Sequence, residues 1–147
     1  QGGFVFYNDG SGGGIVSSPA DQSTSQLWIE GGATQTTAIG TTQMAIGTGQ
    51  ANTTDIFNFP GQTGSAAKLC DDYNDGTYFD WYLPSLAELD LMYEKLYLGG
   101  IGGLVNLDYW SSSESTATQA WSRNFGDGNQ YENPKNASLH VRAVRSF

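Results

Sequence analysis

One segment of this chain admits a single local reading. Ser85 is followed three positions later by Glu88, a capping box in which each side chain holds the other's backbone N–H at a helix start. Leu86, Leu89, Met92, Tyr93 and Leu96 then recur at helical spacing, and Gly99-Gly100 stops the run. Beyond the Gly102-Gly103 loop the pattern changes. Only short strand-like runs and turns follow, near Tyr109–Ser112, Gln119–Phe125, Asn129–Tyr131 and Leu139–Val144. Helices ahead of such a block predict a small α+β domain with a C-terminal antiparallel sheet.

The first half is read by its turns. Gly3–Tyr7 and Gly14–Ser18 flank Asn8-Asp9-Gly10-Ser11-Gly12, which predicts an N-terminal hairpin. The Gly10–Gly14 run lacks the Lys and the βαβ context of a phosphate loop. Leu27-Trp28-Ile29 reads as a short strand, and Gly31–Gly40 as a Gly/Thr loop. A helix is expected from Thr48 or Gly49 to Phe57, broken by Pro60-Gly61. Ser65 caps another, with Ala66, Ala67, Leu69 and Cys70 on its inner side, before the Asn74-Asp75-Gly76 turn. Asp80–Leu83 reads as a strand closed by Pro84. The count is two or three helices. Cys70 is the single cysteine, so packing alone must hold the domain together, and the thiol is expected buried and inert.

The formal net charge of −9, from 15 acidic and 6 basic residues, argues against a nucleic-acid partner, an anionic membrane or a sulfated sugar. No apolar run approaches the roughly 20 residues of a membrane span. Gln1 as first residue is the mark expected of a domain cut from a longer protein. His140 has no nucleophile beside it and is read as a surface residue. Asp71, Asp72, Asp75 and Asp80 offer oxygens to a structural Ca²⁺, but their spacing is not that of a twelve-residue calcium loop, and helix-end and turn roles are the default. Arg142 and Arg145 point to opposite faces of a strand, and one of them is expected in a structural salt bridge with Asp80, Glu88 or Glu114. No cofactor is expected, and no catalytic pattern orders the chain.

The tail from Tyr109 to Phe147 interleaves two kinds of residue. Trp110, Trp121, Phe125, Val141, Ala143, Val144 and Phe147 have the strand-like spacing of a framework. Between them lies an irregular mixture of aromatic, basic, acidic and small polar groups, as adaptable binding surfaces carry. Tyr131 and Arg123 are the expected exposed contacts, because Tyr and Arg dominate interface energetics.

The blocks AIGTGQANT (Ala45–Thr53), AxxCDD (Ala67–Asp72), DWYLPSxxELxxMY (Asp80–Tyr93), YWSSSE (Tyr109–Glu114) and VRAVRSF (Val141–Phe147) carry a resemblance over almost the whole chain. The sequence resembles the family of the C-terminal domain of Legionella collagen-like protein. The resemblance implies a C-type-lectin-like fold of the subtype found in formylglycine-generating enzymes. Those enzymes need catalytic cysteines, and Cys70 alone does not supply them. Calcium-dependent lectins use E-P-N or Q-P-D triplets, whereas Glu132-Asn133-Pro134 has another order. Some members of the family are variable proteins of diversity-generating retroelements, with the major tropism determinant of a Bordetella phage as a fold relative. By that resemblance the exchangeable, ligand-binding set is Ser115, Thr116, Ala117, Thr118, Ser122, Arg123, Gly126, Asp127, Tyr131, Glu132, Asn133, Pro134, Asn136, Ala137, Ser138, Leu139 and His140. Trp110, Trp121, Phe125, Arg142 and Arg145 form the scaffold. The implied activity is non-enzymatic binding of a macromolecule, a protein on a host or neighbouring cell, by a domain on a virion or cell surface; the oligomeric state is left open, a monomer being compatible with a chain of this length. An undiversified glycan-binding adhesion module is the alternative.

Overall fold

The computed structural model describes residues 1–147. Eight strands are formed: β1 (Phe4–Asn8), β2 (Gly14–Ser17), β3 (Ser23–Gln26), β4 (Asp108–Glu114), β5 (Gln119–Asn124), β6 (Gln130–Pro134), β7 (Leu139–Val141) and β8 (Val144–Ser146). Three α-helices, α1 (Gly49–Phe57), α2 (Ala66–Asp71) and α3 (Leu86–Met92), lie between β3 and β4. The fold is α+β, and no helix is long and apolar enough to cross a membrane. The expected N-terminal hairpin is β1–β2, and β2 pairs with β8, so the two ends of the chain close one three-stranded sheet. The second sheet has the order β3-β7-β4-β5-β6. Its β7 runs parallel to β4, so the C-terminal sheet is mixed and not wholly antiparallel as expected.

Alternation along the chain makes two cores. Trp110 joins Val16, Trp28, Trp81, Leu83, Val141 and Ala143 in one cluster. Its neighbour Tyr109 joins Ile15, Tyr82, Leu89, Met92, Phe125 and Val144 in the other. Successive strand residues point to opposite faces, so adjacent pairs such as Ile15-Val16 and Ala143-Val144 feed both. Cys70 is buried in the first cluster, and burial pushes its thiol well up from its ordinary value.

The capping box at α3 is present in full. The Glu88 backbone N–H donates to Ser85 Oγ, and the Ser85 N–H donates to Glu88 Oε2 at 2.8 Å. Glu88 Oε1 also accepts from Gly47 N at 2.8 Å, tying the start of α1 to the start of α3. After Met92 the helix widens into a π-helical turn, Tyr93–Tyr97. That turn stacks Tyr93 on Tyr97 with centroids 5.6 Å apart, and both rings meet Phe125.

Three expected strands differ. Leu27–Ile29 makes only a bridge from Ile29 to Ser65, because the Trp28 main chain pairs with Lys135 and Ala66 from separate segments. Asp80–Leu83 makes only a bridge from Tyr82 to Val144, because Leu83 N donates to Thr53 Oγ1 and Pro84 follows. Leu139–Val144 is broken into β7 and β8, in different sheets, where the buried Arg142 turns inward to Asp21. The Gly31–Gly40 loop contains a short 3₁₀ helix, Gly32–Thr36.

Lys135 is fully buried in the segment that joins β6 to β7. Its Nζ lies 2.5 Å from Glu114 Oε1, 3.0 Å from the Thr37 carbonyl oxygen, and 5.1 Å from the Trp28 ring centroid. Replacing Lys135 by Ala leaves Glu114 without its counter-charge in a dry site, and is expected to cost about 3 kcal/mol in denaturant unfolding. Glu88 gives a pH prediction. Burial pushes its carboxyl above the ordinary value of 4.5, and the N–H groups of Ser85, Gly47 and Gly49 only partly offset this. A raised carboxyl favours folding below 4.5 and loses that contribution as pH rises through the folded value. The unfolding free energy, measured beside that of Glu88→Gln, should therefore shift in the unsubstituted protein's favour as pH falls through this window.

Candidate ligand-binding face

The outer ribbon of the second sheet, β5 and β6, carries the densest part of the exchangeable set. Its register pairs Ala120 with Asn133, Trp121 with Glu132, Ser122 with Tyr131 and Arg123 with Gln130. Directly opposed residues share a face. Ala120, Ser122, Tyr131 and Asn133 therefore stand on the face that carries Trp110, the β4 partner of Ser122. Trp121, Arg123, Gln130 and Glu132 stand on the α3 face, with Tyr109. β6 is the sheet edge and is exposed at Gln130, Tyr131, Glu132 and Pro134.

The turn between the two strands is built by framework groups. Asn124 Oδ1 accepts from the Gly126 and Asp127 amides. Gly128 has φ +75°, and a Cβ there would lie 2.5 Å from Tyr93 Oη, so only glycine serves. Tyr131 reaches back over this turn and donates its hydroxyl to Asp127 Oδ2 at 2.6 Å. That hydrogen bond lowers the Asp127 carboxyl and raises the Tyr131 phenol.

The structure does not gather the whole set on one surface. Thr116, Thr118, Gly126, Asp127, Tyr131, Glu132, Pro134, Asn136 and Ser138 are exposed, and Ser115, Ala117, Asn133, Ala137 and Leu139 are half-buried. Ser122 is fully buried and is corrected from contact to framework: it sits between Trp110 and Tyr131, and its hydroxyl accepts from Asn133 Nδ2 at 2.7 Å. Arg123 is not a free contact. Nη1 donates to Asp90 Oδ1 at 2.7 Å, and the guanidinium lies 4.4 Å from the Tyr93 ring centroid. Gln130 donates to the other Asp90 oxygen at 2.6 Å.

His140 is likewise tied, and lies across the sheet from the ribbon. Its Nδ1 is 2.9 Å from Asp21 Oδ2, while Arg142 Nε donates to Asp21 Oδ1 at 2.6 Å and the Tyr109 hydroxyl donates to Oδ2 at 3.1 Å. With Ser138, Leu139, Leu107, Asp108 and Thr24 it lines a cavity of about 230 Å³. Thr118, Pro134 and Asn136 line another of about 230 Å³ at the far end of β5 and β6, with Gln35, Thr36 and Lys135. Arg145 takes the expected partner, Asp80, while Arg142 takes Asp21. The acidic quartet is dispersed: Asp72 pairs with Lys68, Asp75 accepts from the Thr77 and Tyr78 amides, and Asp80 pairs with Arg145.

The second correction concerns Trp121. Trp28, Trp81 and Trp110 are fully buried, and each donates its indole N–H to a carbonyl, of Ser111, Tyr78 and Gln26 respectively. Trp121 is only half-buried, belongs to neither core cluster, and has no protein acceptor for an indole N–H that solvent still reaches. It is a surface aromatic on a fixed strand and not a core residue. Trp110→Ala is expected to cost about 3–5 kcal/mol in unfolding free energy. Trp121→Ala should cost clearly less, about 1–2 kcal/mol, since the ring is part of neither core cluster. Equal losses on thermal or denaturant unfolding would return Trp121 to the core.

A search of curated proteins finds no match to the chain. The family described as the Lcl C-terminal domain matches residues 19–145, a span that begins after β2 and takes in all three helices, the ribbon and most of both cores, leaving out Phe6, Ile15 and Val16. The chain belongs to the Lcl C-terminal domain family, whose members are domains of a ligand-binding, adhesion type.

Proposed function

We propose that this domain is a non-enzymatic receptor-binding module of C-type-lectin-like architecture, displayed on a virion or cell surface. Its ribbon and flanking turns are diversified by a retroelement to bind varied protein ligands. The observation that carries the reading is the separation of backbone support from exposed side chains. The β4–β5 turn is closed by main-chain bonds from Ser115 N and Thr116 N to the Gln119 carbonyl. Lys135 N donates to the Thr118 carbonyl, and Ala137 N to that of Pro134. Thr118, Tyr131, Glu132, Asn136 and Ser138 hold no main-chain group with their side chains, so exchanging them leaves these bonds in place. Lys135, the one position between Tyr131 and His140 outside the exchangeable set, is the buried anchor. A face already ordered before binding keeps the entropic cost of association low.

The partly exposed indole of Trp121 supports a second reading, an undiversified glycan-binding module, because aromatic rings stack on sugar rings. A glycan array read with and without chelator separates the two. The diversification reading is tested by randomising those five positions in a displayed library. Most members should unfold within about 1 kcal/mol of the parent, and selection on unrelated proteins should yield binders. The DNA beside the gene should hold a near-copy of its last segment, with adenines at the exchanged codons, near a reverse-transcriptase gene. A library that mostly fails to fold, or folds and yields no binder, overturns the reading.

A further inference from the structure

The pairing of Trp121 with Glu132 has a chemistry of its own. The two are opposed across β5 and β6, so their side chains stand side by side on the α3 face. The indole is half-buried with its N–H unpaired, and the exposed Glu132 carboxylate accepts no hydrogen bond from the protein. Arg123, two residues along the same face, would neutralise Glu132 if it turned that way. It turns to Asp90 and Tyr93 instead, and is spent there. Lys68, Lys135, Arg142 and Arg145 are also held in internal ion pairs. Of the six basic residues only Lys95 has no carboxylate partner. The domain therefore sets a partly exposed indole beside a free carboxylate, and none of its own cations, the unpaired Lys95 included, pairs with Glu132 in the structure.

We infer that Trp121 and Glu132 form a receiving site for a cationic side chain, an Arg or Lys of the protein ligand, which stacks on the indole while its charge meets the carboxylate. A neutral sugar would use the ring but leave the Glu132 charge uncompensated, and an anionic ligand would meet a domain of net charge −9. The inference rests on the protein-ligand reading and names the chemistry of one contact within it. Trp121 supplies the constant half of the site, and Glu132, in the exchangeable set, supplies the half that sets the charge.

The probe is the peptide acetyl-Gly-Arg-Gly-amide, titrated into the ¹⁵N-labelled domain while the four indole N–H resonances are followed, with Trp121→Phe to identify the fourth. The expected result is a saturable shift of the Trp121 indole alone. The isosteric citrulline peptide should leave it in place, and Glu132→Gln should weaken the response about fivefold, the size of one exposed charge contact. The three buried indole resonances report that each variant is folded. No saturable shift, an equal shift with citrulline, or a shift with maltotriose and none with the Arg peptide each overturns the inference. Binders from the five-position library alongside a failed titration would sink the cation site and leave the ligand-binding reading standing.

Discussion

A buried charge pair, Lys135 with Glu114, sets the constraint that the rest of the tail obeys. The Lys135 ammonium is fully shut away from water, and desolvating it is offset only because every direction around it is used. Glu114, the Thr37 carbonyl and the Trp28 ring surround it. Glu114 in turn accepts from Ile39 N and Gly40 N, and so pins an irregular segment with no strand partner of its own. The Lys135 main chain bonds both Trp28 and Thr118. One residue thus joins the end of β4, the start of β5, the 37–40 segment and the link between β6 and β7. The net energy of such a pair is modest, but removing either partner leaves the other charge buried and unpaired, so the observed arrangement is held by both.

The opposite end of the same link is fixed by Asp21. Its two oxygens take Arg142, His140 and the Tyr109 hydroxyl, and Arg142 also donates to the carbonyls of Ser18 and Gly102. Residues 136 to 139 therefore run between two polar anchors, Lys135 on one side and His140 with Arg142 on the other. Asn136 and Ser138 lie between them, exposed, with no role in either anchor. This is how packing becomes tolerance: the backbone path is decided by groups outside the exposed positions. It also explains why breaking one anchor should cost far more than changing any residue strung between them.

How much of this was legible depended on whether the partner lay nearby in sequence. The capping box, the start of α3 and the N-terminal hairpin involve partners within a few residues and are formed as read, although the helix turns π-helical after Met92 instead of running α-helical to Leu96. The family blocks from Ala45 to Phe147 and the pairing of Arg145 with Asp80 were also within reach. Asp21 and Asp90 were not. Asp21 sits in a Ser/Pro-rich stretch with no periodicity, 119 residues before His140, and Asp90 lies 33 residues from Arg123. Nothing local marks either as a hub. Trp121 failed for a related reason. Four tryptophans look alike in a strand pattern, and they separate only when the acceptor for each indole N–H is known. Ser122 failed in the opposite sense, because a small polar residue looks exposed until the Trp110 ring stands beside it.

Exposure alone is then a poor guide to which positions can be exchanged. Thr116 and Asp127 are exposed, yet Thr116 Oγ1 accepts from the Thr118 and Gln119 amides, and Asp127 Oδ1 accepts from Asn129 N. Changing either loosens a turn on which its neighbours depend. Arg123 is mostly covered, and its loss would leave Asp90 with only Gln130 as partner. The better criterion is what else a side chain satisfies. Glu132, Asn136 and Ser138 satisfy nothing within the domain, so their side chains are free to serve a partner. Trp121 is the intermediate case: its main chain is held in the ribbon, its carbonyl accepts from Ser111 Oγ at 2.7 Å, and its indole N–H is open. A residue fixed at the backbone with an open indole N–H is suited to a contact that stays constant while its neighbours change, because its position costs little further ordering when a ligand arrives.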